Sequence, residues 1–164
     1  MPRKRVDAIG AALDAILGTE HHVGAALEED SGLSGVLLDA VIARADANAA
    51  DPRLTWMLAV SGAELRAPGH GRVFGEAAVG AGCAVVGLGP LDAGSDGPAA
   101  TSLDRALKVC LHEIGHAAGL EHCADRGCVM YPSRDIADVD RKDNRFCRRC
   151  AKELRHATLD AARG

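Results

Sequence analysis

The stretch HEIGHAAGLEHC, His112 to Cys123, constrains this chain more than any other. His112 and His116 are four residues apart, so on a helix both imidazoles project from one face and can reach one metal ion. Gly119 is a natural stop for that helix, because glycine turns through positive φ without steric cost. The chain can then double back and bring His122 under the same point. A fold that holds this stretch needs a helix with one face buried and the other open on a cleft.

The residues upstream suit such a helix. Leu103, Leu107, Cys110, Ile114 and Ala117 form one apolar stripe. Thr101 and Asp104 have capping-box spacing, which predicts the helix start. His112 and His116 fall on the other side of the stripe. Val6, Ile9, Leu13, Ile16 and Leu17 predict a first helix over 6–18, with Gly18 as its stop. A second helix is predicted over 33–50 and a turn at 51–53. Residues 54–61, 73–79 and 83–88 read as strands, and 21–27 as a short one. Residues 66–72 and 89–98 read as loops. After Met130-Tyr131-Pro132 the chain reads as irregular until a last helix over 148–162.

Three protein ligands and one open position make a catalytic zinc site rather than a structural one. Zinc acidifies a water at that open position. Glu113 is too close in sequence to His112 to wrap round the same ion. It is placed instead to take the water's proton during attack on a carbonyl. The bland alternative is a helix with surface histidines. The cap, the stripe and the glycine stop all agree instead on a built site. The pattern H-E-x-x-H-x-x-G-x-x-H is the metzincin signature. Met130, eight residues after His122, supplies the methionine turn that metzincins place beneath the metal.

Cys123 follows His122 directly. Cys123 and Cys128, then Cys147 and Cys150 after a gap of eighteen residues, have the spacing of a closed four-thiolate zinc site. Two disulfides or four free thiols are the other readings. Successive side chains of an extended segment point opposite ways, so His122 can serve one metal and Cys123 another. Together these residues resemble the archaemetzincin family, whose pattern runs H-E-x-x-H-x-x-G-x-x-x-C-x4-C-x-M, with C-x-x-C about seventeen residues further on. His112, Glu113, His116, Gly119, Cys123, Cys128, Met130, Cys147 and Cys150 match it, with the last gap one residue shorter. Residues 72–91 also look like the family's edge strand and its neighbour, and the likeness covers roughly 54–155.

The resemblance implies a zinc-dependent peptidase with two zinc ions. His112, His116 and His122 would hold a catalytic zinc, and Glu113 would be the general base for a zinc-bound water. The four cysteines would hold a structural zinc. It further implies an α+β, zincin-like fold. A mixed twisted sheet with helices would form an upper lobe, 1–119, and a small zinc-stabilised lower lobe, 120–164, would carry Met130. The edge strand at Phe74, Gly75, Glu76 and Ala77 would pair with the backbone of a peptide or protein substrate. Family members usually open on a strand, whereas this chain opens on the helix at Val6, so either the sheet lacks that strand or residues 21–27 take its place.

Composition bounds the rest. The 164 residues suit one compact domain. Aromatics are 2% against 48% hydrophobic residues, so the core is built from Ala, Val and Leu. Such a core buries less area per residue, which makes bound metal matter for stability. The net charge of −4 does not favour nucleic acid as a partner. Residues 141–155 nonetheless carry seven basic and two acidic side chains, which leaves the remainder at −9. That run reads as a solvated helix face. The rival functions are a catalytically silent zinc module that binds nucleic acid through this run, and a domain that holds peptides without cleaving them. An intact Glu113 favours the enzyme, because a binding module has no use for a base.

No signal-peptide core follows MPRKR, and no window holds eighteen apolar residues, so a cytoplasmic protein without a membrane partner is expected. Six cysteines in that compartment suggest metal ligands or buried thiols. Cys83 and Cys110 are expected as buried thiols, and Tyr131 as a packing residue. His21 and His22 are expected to bind no metal, and His70 and His156 to be surface residues, with a place at the cleft rim as the alternative for His70. Glu76 is expected either to touch substrate or to guard a strand edge. Oligomeric state and cleavage specificity are not readable from the chain.

Overall fold

The computed structural model describes residues 3–27, 32–51, 54–92 and 99–161. Helix α1 (Arg3–Leu17) ends where Gly18 takes φ 69°, and buries Ile9 and Leu13. Residues 21–27 form no strand. The reason is His21, whose ring lies against Gly10 and whose Nδ1 is 2.6 Å from Asp14 Oδ2. The segment is thereby held along α1 and does not fill a strand's place in a sheet.

Helix α2 (Ser34–Ala47) precedes strand β1 (Met57–Ser61). Pro52 and Arg53 of the expected turn lie outside the described residues. The expected 66–72 loop is part of a small ribbon. Strands β2 (Leu65–Ala67) and β3 (Gly71–Val73) pair antiparallel across a turn in which Gly69 and Gly71 have φ 78° and 73°. Glu64 holds the ribbon through Arg72 (2.7 Å) and Arg66 (3.0 Å). Val73 belongs to this ribbon and the chain breaks at Phe74, so the predicted strand over 73–79 is split.

Strands β4 (Gly75–Ala78) and β5 (Cys83–Gly87) complete the main sheet, whose order is β1-β5-β4. β1 runs parallel to β5, and β4 antiparallel to it. Strand alternation divides the core into two layers. Met57, Ala59, Cys83 and Val85 pack with Leu37, Leu38 and Val41 of α2. Leu58, Val60 and Val86 face the opposite side, with Leu107, Cys110 and Ile114. Cys83 and Cys110 are both buried, and burial pushes the Cys110 thiol up to about 12.

A short helix α3 (Gly89–Asp92) stands where a loop is expected, and 93–98 lie outside the described residues. Helix α4 (Ala99–Ala117) starts before Thr101, so Thr101 lies within the helix and is not its cap. The Thr101 side chain is outside the described residues. Asp104 instead binds Lys108 (2.6 Å) and Asn144 (3.0 Å). Helix α5 (Ile136–Arg141) replaces part of the expected irregular stretch, and Asp135 caps it by accepting from the Asp138 N–H at 2.8 Å. Helix α6 (Arg148–Ala161) follows. Val129, Met130, Val139 and Leu154 share one continuous core with Ile9, Leu13 and Val86. No break in that core falls at Gly119. No helix among the described residues is long and apolar enough to cross a membrane.

Arg105 of α4 fixes α5 through a two-point contact with Asp140, at 2.7 and 2.8 Å. This contact holds the Asp140 carboxyl below its ordinary range. A carboxyl depressed by folding stabilises above its unfolded pKa of about 3.9. That contribution fades as pH falls through the lower folded value. Asp140→Asn is expected to cost about 1 kcal/mol at pH 7, less than a fully buried pair because the Asp140 side chain is 41% exposed. Urea midpoints should differ between the two proteins at pH 7 and converge towards pH 3. A gap of equal size at both pH values contradicts the assignment.

Candidate metal centre and active site

Helix α4 delivers His112, Glu113 and His116, and Gly119 ends it at φ 93°. The Gly119 N–H donates to the His116 carbonyl (2.8 Å) and the Leu120 N–H to the Gly115 carbonyl (2.9 Å). This pair of bonds satisfies the helix's last carbonyls and sends the chain back across its own end. His122 then joins His112 and His116, the three ligand nitrogens lying within 4.8 Å of one another.

The nitrogen chemistry of this trio fits a metal. His112 Nδ1 donates to the Val129 carbonyl and His116 Nδ1 to the Leu120 carbonyl, each at 2.8 Å. Both Nε2 atoms are then lone-pair acceptors, yet they face each other at 3.1 Å. Two acceptors so close repel unless an electrophile lies between them. Zn–N bonds of 2.0–2.1 Å in a tetrahedron give an N···N distance of about 3.3 Å. Burial lowers the His112 pKa to about 3, with Lys142 adding to the effect, so the imidazole stays neutral. Burial also lowers His122, with His116 next in effect.

Glu113 is 7% exposed. Burial raises it to about 8, Lys142 opposes this, and Glu76 adds to it. Its carboxyl packs directly against Gly75, where an added Cβ would lie 2.6 Å from Glu113 Cγ and 2.7 Å from the Val85 carbonyl oxygen. β4 is the outer strand of the sheet on this side, with only β5 beside it among the described residues. Gly75 and Ala77 lie on one face of β4 and Glu76 and Ala78 on the other. Glu76 is neither an exposed edge charge nor turned towards Glu113's side of the strand. Its carboxylate accepts from the Ser34 hydroxyl at the start of α2. Phe74 packs into the main core, and its carbonyl accepts from the Gly87 N–H at 2.9 Å.

Met130 is fully buried beneath the histidines' helix, at Gly115. An added Cβ at Gly115 would run into the Met130 sulfur and come within 3.3 Å of Phe146. Gly115 thus lets Met130 pack directly against the helix, although the motif treats its position as variable. Tyr131 enters through its backbone, its N–H donating to the Cys128 carbonyl at 2.9 Å.

Cys123, Cys128, Cys147 and Cys150 bring their sulfurs within 4.8 Å of one another. None of the four is in a disulfide. Cys123 and Cys147 are 3.8 Å apart, close to the separation of about 3.8 Å expected for thiolates 2.3 Å from one tetrahedral zinc. The Cys147 N–H donates to Cys128 Sγ at 3.3 Å, which stabilises a thiolate there. The Cys123 N–H donates to the Met130 carbonyl at 2.9 Å, so the two clusters share the methionine turn.

The remaining histidines stay apart from both clusters. His21 is engaged with Asp14, and His22, His70 and His156 are exposed. The basic run 141–155 is not a uniform solvated face. Lys142 is 3% exposed, Cys150 and Leu154 are buried, and the helix begins only at Arg148. Lys142 carries no motif and is invisible in the sequence as a functional residue.

A helix that carries two histidines with facing Nε2 atoms and a buried glutamate beneath an outer strand defines a zincin-like arrangement. The chain belongs to peptidase family M54, whose profile matches residues 54–156. It is similar to archaemetzincin from Archaeoglobus fulgidus, 39% identical over 105 residues, or 64% of this chain and 63% of that protein. Archaemetzincin from Methanopyrus kandleri is 42% identical over 98 residues, or 60% of this chain and 54% of that protein. The matched segments thus span less than two thirds of these relatives. The crystal structure of the Methanopyrus kandleri archaemetzincin superposes with a TM-score of 0.73 at 30% identity, covering 98% of this chain and 89% of that one.

Proposed function

We propose that the chain is a zinc-dependent peptidase, and that its substrates are peptides or proteins. The observation that carries this reading is the close approach of His112 Nε2 and His116 Nε2 at 3.1 Å, each ring turned by its Nδ1 to a backbone carbonyl, with a buried carboxyl group next to His112 in sequence. His112, His116 and His122 would hold the catalytic zinc, and the four cysteines a structural one. When bound, zinc acidifies water and polarises a carbonyl oxygen.

The protein's own groups do the rest. The water's oxygen bonds to the scissile carbonyl carbon, and its proton passes to a Glu113 carboxylate oxygen. The C–N bond then breaks, and Glu113 returns the proton to the leaving nitrogen. Glu113 must be ionised for this. Its burial works against ionisation, while Lys142 and any divalent cation at the histidines favour it. The free side of β4 would take substrate backbone as an added strand, which supports a role for Phe74–Ala77 through main-chain groups. Residues 1–119 would form the upper side of the cleft, and 120–164 the lower.

The test is digestion of a mixed peptide library by the zinc-loaded protein, read by mass spectrometry, with Glu113→Gln run beside it. New termini that depend on Glu113 support the reading, and an uncut library removes it. Gly75 offers a second test. Gly75→Ala places a methyl where Glu113 Cγ lies, and the Val85 carbonyl opposite cannot yield. Displacing a general base by about 1 Å costs about 10²-fold in rate. We expect kcat to fall by about that factor with KM and zinc content little changed. Wild-type kcat in Gly75→Ala contradicts this placement of the base.

A further inference from the structure

Lys142 is almost fully buried, and favouring the Glu113 carboxylate does not by itself account for where its ammonium is held. Burying an ammonium is costly unless its protons find acceptors. Here they do. Lys142 Nζ donates to the Val129 carbonyl (2.9 Å) and the Tyr131 carbonyl (3.1 Å), the two that flank Met130. It lies 3.4 Å from His112 Nδ1. The Val129 carbonyl is also the acceptor for His112 Nδ1 at 2.8 Å. A carbonyl oxygen has two lone pairs, and this one gives one to the histidine and one to the lysine. The orientation of the His112 ring therefore depends on a carbonyl that Lys142 fixes.

The helix that sequence reading misses explains how the lysine gets there. α5 ends at Arg141, and Lys142 follows it directly. Arg105 and Lys108 of α4 hold α5 through Asp140, the lysine by donating to the Asp140 carbonyl at 3.3 Å. The Asp143 N–H donates to the Gly127 carbonyl at 3.0 Å on the other side. Lys142 is thus delivered at the end of α5, which is anchored on the helix that presents His112.

We propose that Lys142 is a positioning residue for the metal centre: it clamps the carbonyls on either side of Met130 and so aims His112 Nε2 at the metal. The proposal rests on the reading of His112, His116 and His122 as metal ligands. It predicts a defect confined to one of the two metal sites.

The experiment uses the full chain loaded with two equivalents of zinc and challenged with a chelator, the release being followed with a colorimetric indicator. Lys142→Met is expected to weaken zinc at the histidines by about 10–100-fold, the usual effect of losing a group that orients a ligand. Zinc at the cysteines should be retained as in the wild type. Lys142→Arg keeps donors for both carbonyls, and should recover retention to within about threefold. Wild-type retention in Lys142→Met overturns the proposal, and so does Lys142→Arg behaving like Lys142→Met. If Lys142→Met releases both metals together, Lys142→Gln decides, since it keeps a shorter donor. Selective loss at the histidines supports the clamp, while loss of both metals again overturns it in favour of a role in the fold alone. A wild-type protein with no zinc at the histidines overturns the peptidase reading itself, an outcome distinct from all of these.

Discussion

Glu113→Gln is expected to lower peptide hydrolysis by about 10²–10⁴-fold, the range for losing a general base. Gln keeps the volume and a hydrogen-bonding end, so the packing against Gly75 survives. It removes only the capacity to take a proton. Glu113 is no metal ligand in this reading, so zinc should stay at two per chain. Nor should the fold suffer. Glu113 is 7% exposed, and burial already disfavours its charge. A neutral amide there avoids that cost. The decisive result is the combination: unchanged zinc, unchanged thermal midpoint and lost turnover. Hydrolysis within about tenfold of the wild type at full zinc content sinks the mechanism.

The grouping of the candidate site residues was legible because short-range geometry fixes it. His112 and His116 share a helix face by periodicity alone, and the stripe from Leu107 to Ala117 settles which face is buried. Gly119 adopts the positive φ that the chain reversal demands. The cysteine spacing needs no fold-level knowledge either, since C-x2-C places two sulfurs on one turn. The α+β class and the mixed sheet are what the family resemblance implies, and β1 and β5, within the strands read at 54–61 and 83–88, agree with it.

What escaped was set at long range. Residues 21–27 look extended, but a side-chain pair between His21 and Asp14 decides their path. The ribbon at Leu65–Val73 is too short to show a period of two, and its turn residues Pro68, Gly69 and His70 read simply as loop. Thr101 and Asp104 have the spacing of a cap, but the helix starts earlier and Asp104 is occupied by Lys108 and Asn144. α5 has a cap in Asp135 but only six residues, too few to show a helical period. Lys142 is the sharpest case. In sequence it is one of seven cations in a polar run, and only the tertiary structure buries it against the Val129 and Tyr131 carbonyls.

His122→Ala and Cys123→Ser are expected to remove different metals although the residues are adjacent. His122 is exposed and belongs to the histidine trio, whereas Cys123 is 4% exposed and belongs to the cysteine cluster. The Cys123 N–H holds the Met130 carbonyl and its side chain lies in the main core. Losing one of three histidines or one of four cysteines forfeits a share of a binding free energy of about 10–16 kcal/mol, so each affected site should weaken by more than about 10²-fold. His122→Ala should therefore drop to one zinc per chain with hydrolysis abolished, and with a thermal midpoint close to the wild type. Cys123→Ser should lose zinc at the cysteines and melt well below the wild type, because a metal held there would join α6 to the core beneath the methionine turn. Its histidine site should weaken only as the Val129 carbonyl loosens. Zinc analysis and thermal melts on both variants separate the cases. If His122→Ala emptied both sites, or if both variants lost the same zinc, the two clusters would be one centre rather than two joined at this pair.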